Sequence, residues 1–345
     1  MIRLALSFFG CIFTFITLGV IGLAVGIGGV FWVYGRDLPS HASLAQYQPP
    51  IISRIYSSEG HLIDEFARER RLFTAAEDIP TLVKHAFISA EDKNFYTHPG
   101  YDLRGIVSAL VDAARSGGKR VRGASTIPQQ VMKNFLLDGS RRAERKVKEI
   151  ILATRVENTL SKEKILELYL NEIFLGQNSY GVTAAAQTYF NKTLDNLAPH
   201  EAAFLASLPK APSDFHPVRR KERLLLRRNY VLREMLQNGY LDHAVYESEK
   251  QMPLKSVQNG DFESFRSTIP PRDYFTDEIR RQLSRNFGEE TFFTGGMTIR
   301  ATLDPDLQDI AREALQRALE AYDRNQGIWR GTGISLPLEV LEDEN

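Results

Sequence analysis

The sequence predicts a mainly α-helical protein with an N-terminal transmembrane helix and a short α+β region at its C-terminal end. Three observations carry this. The run Leu4–Gly35 contains no charged residue, helical periodicity dominates from Pro80 to about Lys250, and strand-like segments are confined to Ile51–Ser57, Leu62–Phe66 and Met297–Leu303. A chain of 345 residues has room for two or three folding units. They are drawn here as an anchor over 1–36, a main domain over 37–250 and a C-terminal region over 251–345. The 43 lysines and arginines equal the 43 aspartates and glutamates, so net charge gives no basis for binding nucleic acid. Cys11 is the only cysteine, which excludes an intrachain disulfide, and no Cys/His zinc spacing is present.

The first element is an uncleaved anchor. A helix crosses a bilayer core with roughly 20 apolar residues, and this run is longer. A signal peptide would have a shorter apolar stretch ending at a small-residue cleavage site. Phe31, Trp32 and Tyr34 cluster at its far end, as interfacial aromatics do, while Arg3 and Arg36 balance too evenly to fix an orientation. After a polar, Pro-containing linker (Asp37–Pro50), the two short runs around Ser58-Glu59-Gly60-His61 read as a hairpin.

Pro80 suits a first helical turn, and Val83, Phe87 and Glu91 then follow at i, i+4, i+8 with Leu82, Ala86 and Ala90 beside them. Glu91 thus stands where the pattern calls for an apolar side chain. Burial there disfavours the charged carboxylate and raises its pKa toward the range useful for proton transfer. The plainer alternative is a helix that ends with its acid in solvent. Asp92 and the turn His98-Pro99-Gly100 weight the stretch toward function.

Ile106, Val107, Leu110 and Val111 form an amphipathic segment, followed by the flexible, basic Ser116-Gly117-Gly118-Lys119-Arg120. In Gly123–Asn134, Ser125 or Thr126 can cap a helix opened by Pro128, with Ile127, Val131 and Phe135 as its buried stripe. Ser125, Thr126, Gln129, Gln130 and Lys133 offer donors to a polar, phosphorylated or sugar ligand, against the alternative of a well-capped surface helix. On the helix Arg141–Leu160, Arg142, Arg145, Lys146 and Glu149 share one face, so cations precede a carboxylate that enters the helix's apolar part. Such cations suit a diphosphate, and ordinary surface ion pairing is the alternative. Lys162–Leu175 reads as a core helix interrupted by the polar Asn171. Helices follow through Tyr180–Lys192, Pro199–Leu208 and the basic Arg219–Gln237, then a boundary-like passage Gln251–Pro271, a strand at Met297–Leu303 and a helix at Pro305–Asp323.

Together these residues resemble the peptidoglycan glycosyltransferase family, that is, monofunctional transglycosylases and the N-terminal halves of class A penicillin-binding proteins. Glu91–His98 is similar to E-D-x-x-F-x-x-H, Gly123–Asn134 to G-x-S-T-x-x-Q-Q-x-x-K-N, and Arg145–Glu149 to R-K-x-x-E. Ile165–Asn171 is similar to I-L-E-x-Y-L-N and Glu201–Ser213 to E-A-A-x-L-A-x-L-P-K-A-P-S. One departure is Pro128, where the second block usually has Thr and its hydroxyl.

The resemblance implies a lysozyme-like, two-lobed fold whose smaller, membrane-dipping jaw comes from Ile106–Gly118 with Phe135-Leu136-Leu137. It implies polymerisation of lipid II into β-1,4 glycan with inversion and release of undecaprenyl diphosphate. Glu91 would be the general base, and Glu149 would assist the leaving diphosphate, directly or by holding a divalent cation (Mg2+ or Mn2+). Arg145, Lys146 and Lys133 would neutralise diphosphate charge, while Asp92, Phe95, His98, Ser125, Thr126, Gln129, Gln130 and Asn171 would position substrate or the catalytic pair. It further implies a single-pass protein of the bacterial inner membrane with its catalytic domain on the periplasmic side. Its partners would be the growing glycan and other cell-wall synthesis proteins. From Gly295 the sequence is similar to the linker before a transpeptidase half, but no K-[ST]-G occurs. The S-x-x-K matches at Ser116, Ser161 and Ser207 read as coincidence, so no penicillin-sensitive activity is expected. A lytic muramidase and a non-catalytic cell-wall scaffold are the rival readings.

Overall fold

The structure, a computed structural model, describes residues 2–36, 38, 52–67, 69–117, 125–136, 142–265, 269–270 and 272–327. Most of the expected linker Asp37–Pro50, the stretch from Gly118 through Ala124, Leu137 and the acidic end Leu341–Asn345 lie outside these residues, as do the side chains of Leu110, Leu136 and Arg142.

In chain order α1 (Ile2–Gly35) is followed by β1 (Ser53–Tyr56), β2 (Leu62–Phe66) and β3 (Arg70–Arg71). Then come α2 (Thr81–Glu91), α3 (Leu103–Arg115), α4 (Ile127–Leu136), α5 (Arg142–Glu157) and α6 (Lys162–Glu172). After β4 (Ser179–Tyr180) the helices are α7 (Val182–Phe190), α8 (Pro199–Leu205), α9 (Lys221–Gln237), α10 (His243–Gln251), α11 (Tyr274–Phe287) and α12 (Glu289–Thr294). β5 (Thr298–Arg300) and α13 (Pro305–Asn325) complete the order, so the mainly helical expectation holds.

Two compact units result. The first comprises Met1–Ile52, Ala67–Thr268 and Phe293–Gly296. Its centre is α6, on which every residue from Ile165 to Asn171 is buried. A helix buried on all sides is apolar on all sides, and the polar exceptions must be satisfied locally. Here Asn171 accepts from the Thr74 N–H at 2.9 Å and donates to the carbonyls of Thr74 and Glu167, both at 2.9 Å. Glu167 accepts from the Ala76 N–H at 2.9 Å and pairs with Lys164. Around α6 pack Val83 and Phe87 of α2, Ile127 and Val131 of α4, Leu152 and Val156 of α5, and Val231 and Leu232 of α9. The unit continues past residue 250: Leu254 is in its core, Arg228 donates to the Met252 carbonyl at 2.7 Å, and Gln258 donates to the Thr188 carbonyl at 2.9 Å.

Within this unit the end of α1 meets α5, where Arg155 Nη2 donates to the Gly35 carbonyl at 3.1 Å. That bond satisfies one of the carbonyls a helix leaves open at its C-terminus. Phe13–Gly35 is long and apolar enough to cross a membrane, and the Arg36 guanidinium lies 3.6 Å from the centre of the Trp32 ring. On α3, Leu103, Val107 and Val111 make an exposed stripe at i, i+4, i+8.

The second unit comprises Ser53–Phe66, Ile269–Phe292 and Met297–Asn345. The expected hairpin forms, β1 antiparallel to β2, with Gly60 at φ +89° in its turn. Chain order placed the hairpin with the domain 37–250. Its hydrogen bonds place it elsewhere, because β1 also pairs in parallel with β5, Ile55 opposite Ile299. Asp64, nearly buried on β2, takes two bonds from Arg272, at 2.8 and 3.0 Å.

Candidate active site

α2 ends on Glu91, and a helix leaves its last carbonyls without intrahelical partners. Arg227 of α9 fills part of that need: its Nη2 donates to the Ala90 carbonyl at 3.3 Å and lies 3.6 Å from Glu91 Oε1. Gln130 of α4 donates from Nε2 to the other oxygen, Oε2, at 2.9 Å. The Glu91 side chain keeps 14% of its surface exposed, enough to meet a ligand. Burial pushes its pKa up. The Gln130 hydrogen bond and the charges of Arg227 and Lys210 pull it back, Asp92 adds a smaller upward push, and the balance stays above the ordinary glutamate value. This is the environment that the apolar stripe of α2 leads one to expect.

The next residue holds the site together. Asp92 is 6% exposed and accepts from His98 Nε2 at 3.0 and 2.9 Å and from the Ile127 N–H at 2.8 Å. Gly100 N–H donates to His98 Nδ1 at 3.1 Å, so the network assigns the ring proton to Nε2, facing Asp92. Asp92 therefore caps α4 with a carboxylate, the charge that a helix N-terminus favours. Thr126 Oγ1 donates to the Gly100 carbonyl at 2.7 Å and closes the same junction. Pro128 falls in the first turn of α4, where a backbone N–H would have no intrahelical partner, so its ring costs no helix bond. The hydroxyl that works here belongs to Thr126.

Gly100 allows the turn to seat on α5. Its φ is +95°, and a Cβ there would lie 2.7–2.9 Å from backbone atoms of Ala153 and Thr154. Gly100→Ala is expected to destabilise the protein by more than about 2 kcal/mol, read as a lower denaturation midpoint, because both the φ and the backbone contact must yield.

The second carboxyl sits on α5. Glu149 is 6% exposed, with Lys146 Nζ 3.2 Å from Oε2 and Arg145 Nε 3.5 Å from Oε1. Lys146 Nζ also donates to Ser125 Oγ at 2.7 Å and Gln129 Oε1 at 2.8 Å. Gln129 and Gln130 are consecutive on α4: Gln129 accepts from Lys146, whose ammonium also bonds Glu149, while Gln130 donates to Glu91. The first turn of one helix is thus bonded directly to Glu91 and, through Lys146, to Glu149. Lys133, exposed, follows Gln129 by one turn and shares its face. Gln129 Nε2 and Arg145 Nε are buried without a hydrogen-bond partner among the described residues, and such groups are satisfied by a ligand or water.

Two expected site residues lie elsewhere. Phe95 is wholly buried in the core, edge-on to His98 with ring centres 6.3 Å apart, so it shapes the turn and cannot touch substrate. Asn171 is 4% exposed and spends its amide on Thr74 and Glu167, clamping the segment before α2. Neither S-x-x-K serine with a described lysine is free to react. Ser161 caps α6, and Ser207 is fully buried and donates to the Ala203 carbonyl at 2.7 Å. Arg227 and Lys210, which face Glu91, are the residues the sequence reading passed over. The available signal was a cation in α9 directly before the buried Arg228.

The donor set does not fit a divalent cation held by the protein alone. Both Glu149 oxygens already face cations, and among the described residues no group of three or more His, Cys, Asp or Glu side chains could hold a metal.

Comparison with known proteins follows the same residues. The family model described as Transglycosylase matches residues 59–236. Penicillin-binding protein 1A of Rickettsia felis is 41% identical over 341 residues, covering 98% of this chain and 42% of that protein. Penicillin-binding protein 1A of Neisseria flavescens is 42% identical over 295 residues, covering 85% of this chain and 36% of that protein. The solved structure of penicillin-binding protein 1A from Haemophilus influenzae covers 85% of this chain and 34% of that chain at 28% identity, with a TM-score of 0.48, a superposition too loose to bear on the fold. The chain spans about two fifths of the length of the curated relatives it matches. Glu91, Glu149 and the cations around them all fall inside the matched segment, which is more than half of the sequence, and the chain belongs to the transglycosylase family.

Proposed function

We propose that this protein polymerises lipid II into β-1,4 glycan with inversion, releasing undecaprenyl diphosphate. The observation that carries the reading is the pairing at one helix end of a carboxyl raised by burial, Glu91, with a second carboxyl, Glu149, set among Lys146 and Arg145. A proton acceptor and a cationic site for a departing diphosphate are the two things this transfer requires. The acceptor's 4-hydroxyl gives its proton to Glu91 as its oxygen bonds to the donor's anomeric carbon. The bond from that carbon to the diphosphate breaks, and the electron pair leaves with the diphosphate. Arg145, Lys146 and Lys133 meet the charge that develops, and Glu149 holds the first two in place. Asp92, His98 and Thr126 serve by fixing the end of α4, and Ser125, Gln129 and Gln130 line it.

The span at Phe13–Gly35 and the apolar stripe of α3 support a single-pass protein working at the membrane that carries its substrate. The periplasmic face of the inner membrane, the growing glycan and other cell-wall enzymes complete the proposal. Holding enzyme and lipid-linked donor on one surface restricts the search between them.

The purified protein is incubated with labelled lipid II, and separately with finished glycan, each with and without a chelator. Polymer from lipid II is the expected result, and its loss on chelation would show that a divalent cation acts with Glu149 at the diphosphate. Fragments from finished glycan with no polymer would instead identify a lytic enzyme.

A further inference from the structure

Among the described residues, two side chains from other elements bond or pair with Glu91 and two more share its electrostatic field. Gln130 comes from α4, Tyr169 from α6, Arg227 from α9 and Lys210 from the segment between α8 and α9, while Asp92 follows it in the chain. Among the described residues, Arg227 alone touches both the carboxylate and the backbone that carries it, at 3.6 Å from Oε1 and 3.3 Å from the Ala90 carbonyl. Its own freedom is small. The guanidinium lies 4.8 Å from the centre of the Tyr230 ring, the side chain is 14% exposed, and Nε is buried without a hydrogen-bond partner among the described residues. Gln130 holds Oε2, so Oε1 is the oxygen left for a substrate hydroxyl, and Arg227 is the group beside it.

We propose that Arg227 is the positioning residue of Glu91, tying the carboxylate to the end of α2 and presenting Oε1 to the acceptor hydroxyl. This rests on the glycosyltransferase reading above, in which Glu91 takes the proton. The separation matters. A bidentate guanidinium–carboxylate pair would stabilise the charged form so far that the carboxylate became a poor base. At 3.6 Å, shared with a carbonyl, Arg227 offsets part of the burial without closing a tight pair. As the proton arrives, Glu91 becomes neutral, and Arg227 keeps its bond to the Ala90 carbonyl, so the end of α2 need not move.

The test uses the full chain in detergent, with labelled lipid II as substrate and Arg227→Gln and Arg227→Lys as variants. For Arg227→Gln, kcat at neutral pH is expected to fall roughly 10- to 100-fold with KM within about twofold of wild type. The acid limb of its pH–rate profile should move to higher pH, since losing the nearby cation leaves burial less opposed. Arg227→Lys keeps the charge and should return the limb toward the wild-type position. A second measurement needs no substrate: carbodiimide labels protonated carboxyls, and labelling of Glu91, read by mass spectrometry, should persist to higher pH in Arg227→Gln. Should Gln not fold at this position, Arg227→Met takes its place. A lowered rate with an unmoved limb and unmoved labelling would overturn the proposal and leave Arg227 a purely structural residue. If wild type makes no polymer the glycosyltransferase reading fails, and the labelling comparison still decides the role of Arg227.

Discussion

Glu91→Gln is expected to lower kcat for glycan polymerisation by about 10²–10⁴-fold while lipid II still binds, because the substitution removes only the proton acceptor. The glutamine has nearly the same shape and can still accept from Gln130 through its amide oxygen. Stability should move the other way at neutral pH. Burial raises the Glu91 pKa in the folded protein, and a carboxyl so raised favours the fold when protonated, a contribution present below its unfolded pKa and lost as pH rises through the folded value. At pH 7 the wild-type carboxylate is therefore a cost to the fold, and a neutral glutamine relieves it. The variant should melt at a higher temperature than wild type at pH 7, with the difference closing as the pH is lowered through the glutamate range. Thermal melts at several pH values, run beside lipid II binding and turnover, check all three parts. A variant that binds nothing and melts earlier at pH 7 would mean that the change broke the site instead of silencing it.

What could be read from the sequence and what could not follow one physical line. Glu91 was legible because its abnormal position is local: a carboxylate at i+8 of an apolar stripe is visible within three turns of one helix. The triad Arg145, Lys146 and Glu149 was legible for the same reason, its spacing being the helix period itself. Phe95 and Asn171 were misplaced because a motif shows that a residue matters without showing which way it faces. Only packing tells that Phe95 fills the core and that Asn171 clamps Thr74, a residue 97 positions away in the chain. Arg227 was missed because its partner lies 137 residues before it, and a cation in a basic helix looks like solvated surface. The hairpin was legible as a hairpin. Its pairing with β5 was not, since nothing local in Ser53–Tyr56 specifies a parallel neighbour at Thr298–Arg300.

The other large effect is expected at Lys146. Its ammonium group joins Ser125, Gln129 and Glu149, so Lys146→Met removes three bonds and leaves a nearly buried carboxylate facing, among the described residues, Arg145 at 3.5 Å. Breaking a buried pair on one side strands a charge, and because Lys146 is 42% exposed the expected cost is at the lower end, about 1–3 kcal/mol, read as a lower denaturation midpoint. Polymerisation should fall about 100-fold or more, as a cation facing the leaving diphosphate is lost. Adding Glu149→Gln separates the two effects. The double variant carries no stranded carboxylate, so its stability should recover well beyond the sum of the single changes. Its activity should not recover, because the diphosphate still lacks the Lys146 cation and Arg145 has lost the carboxylate that holds it. Recovery of both together would show that Lys146 serves Glu149 alone, and the role of neutralising the leaving group would then fall to Arg145 and Lys133.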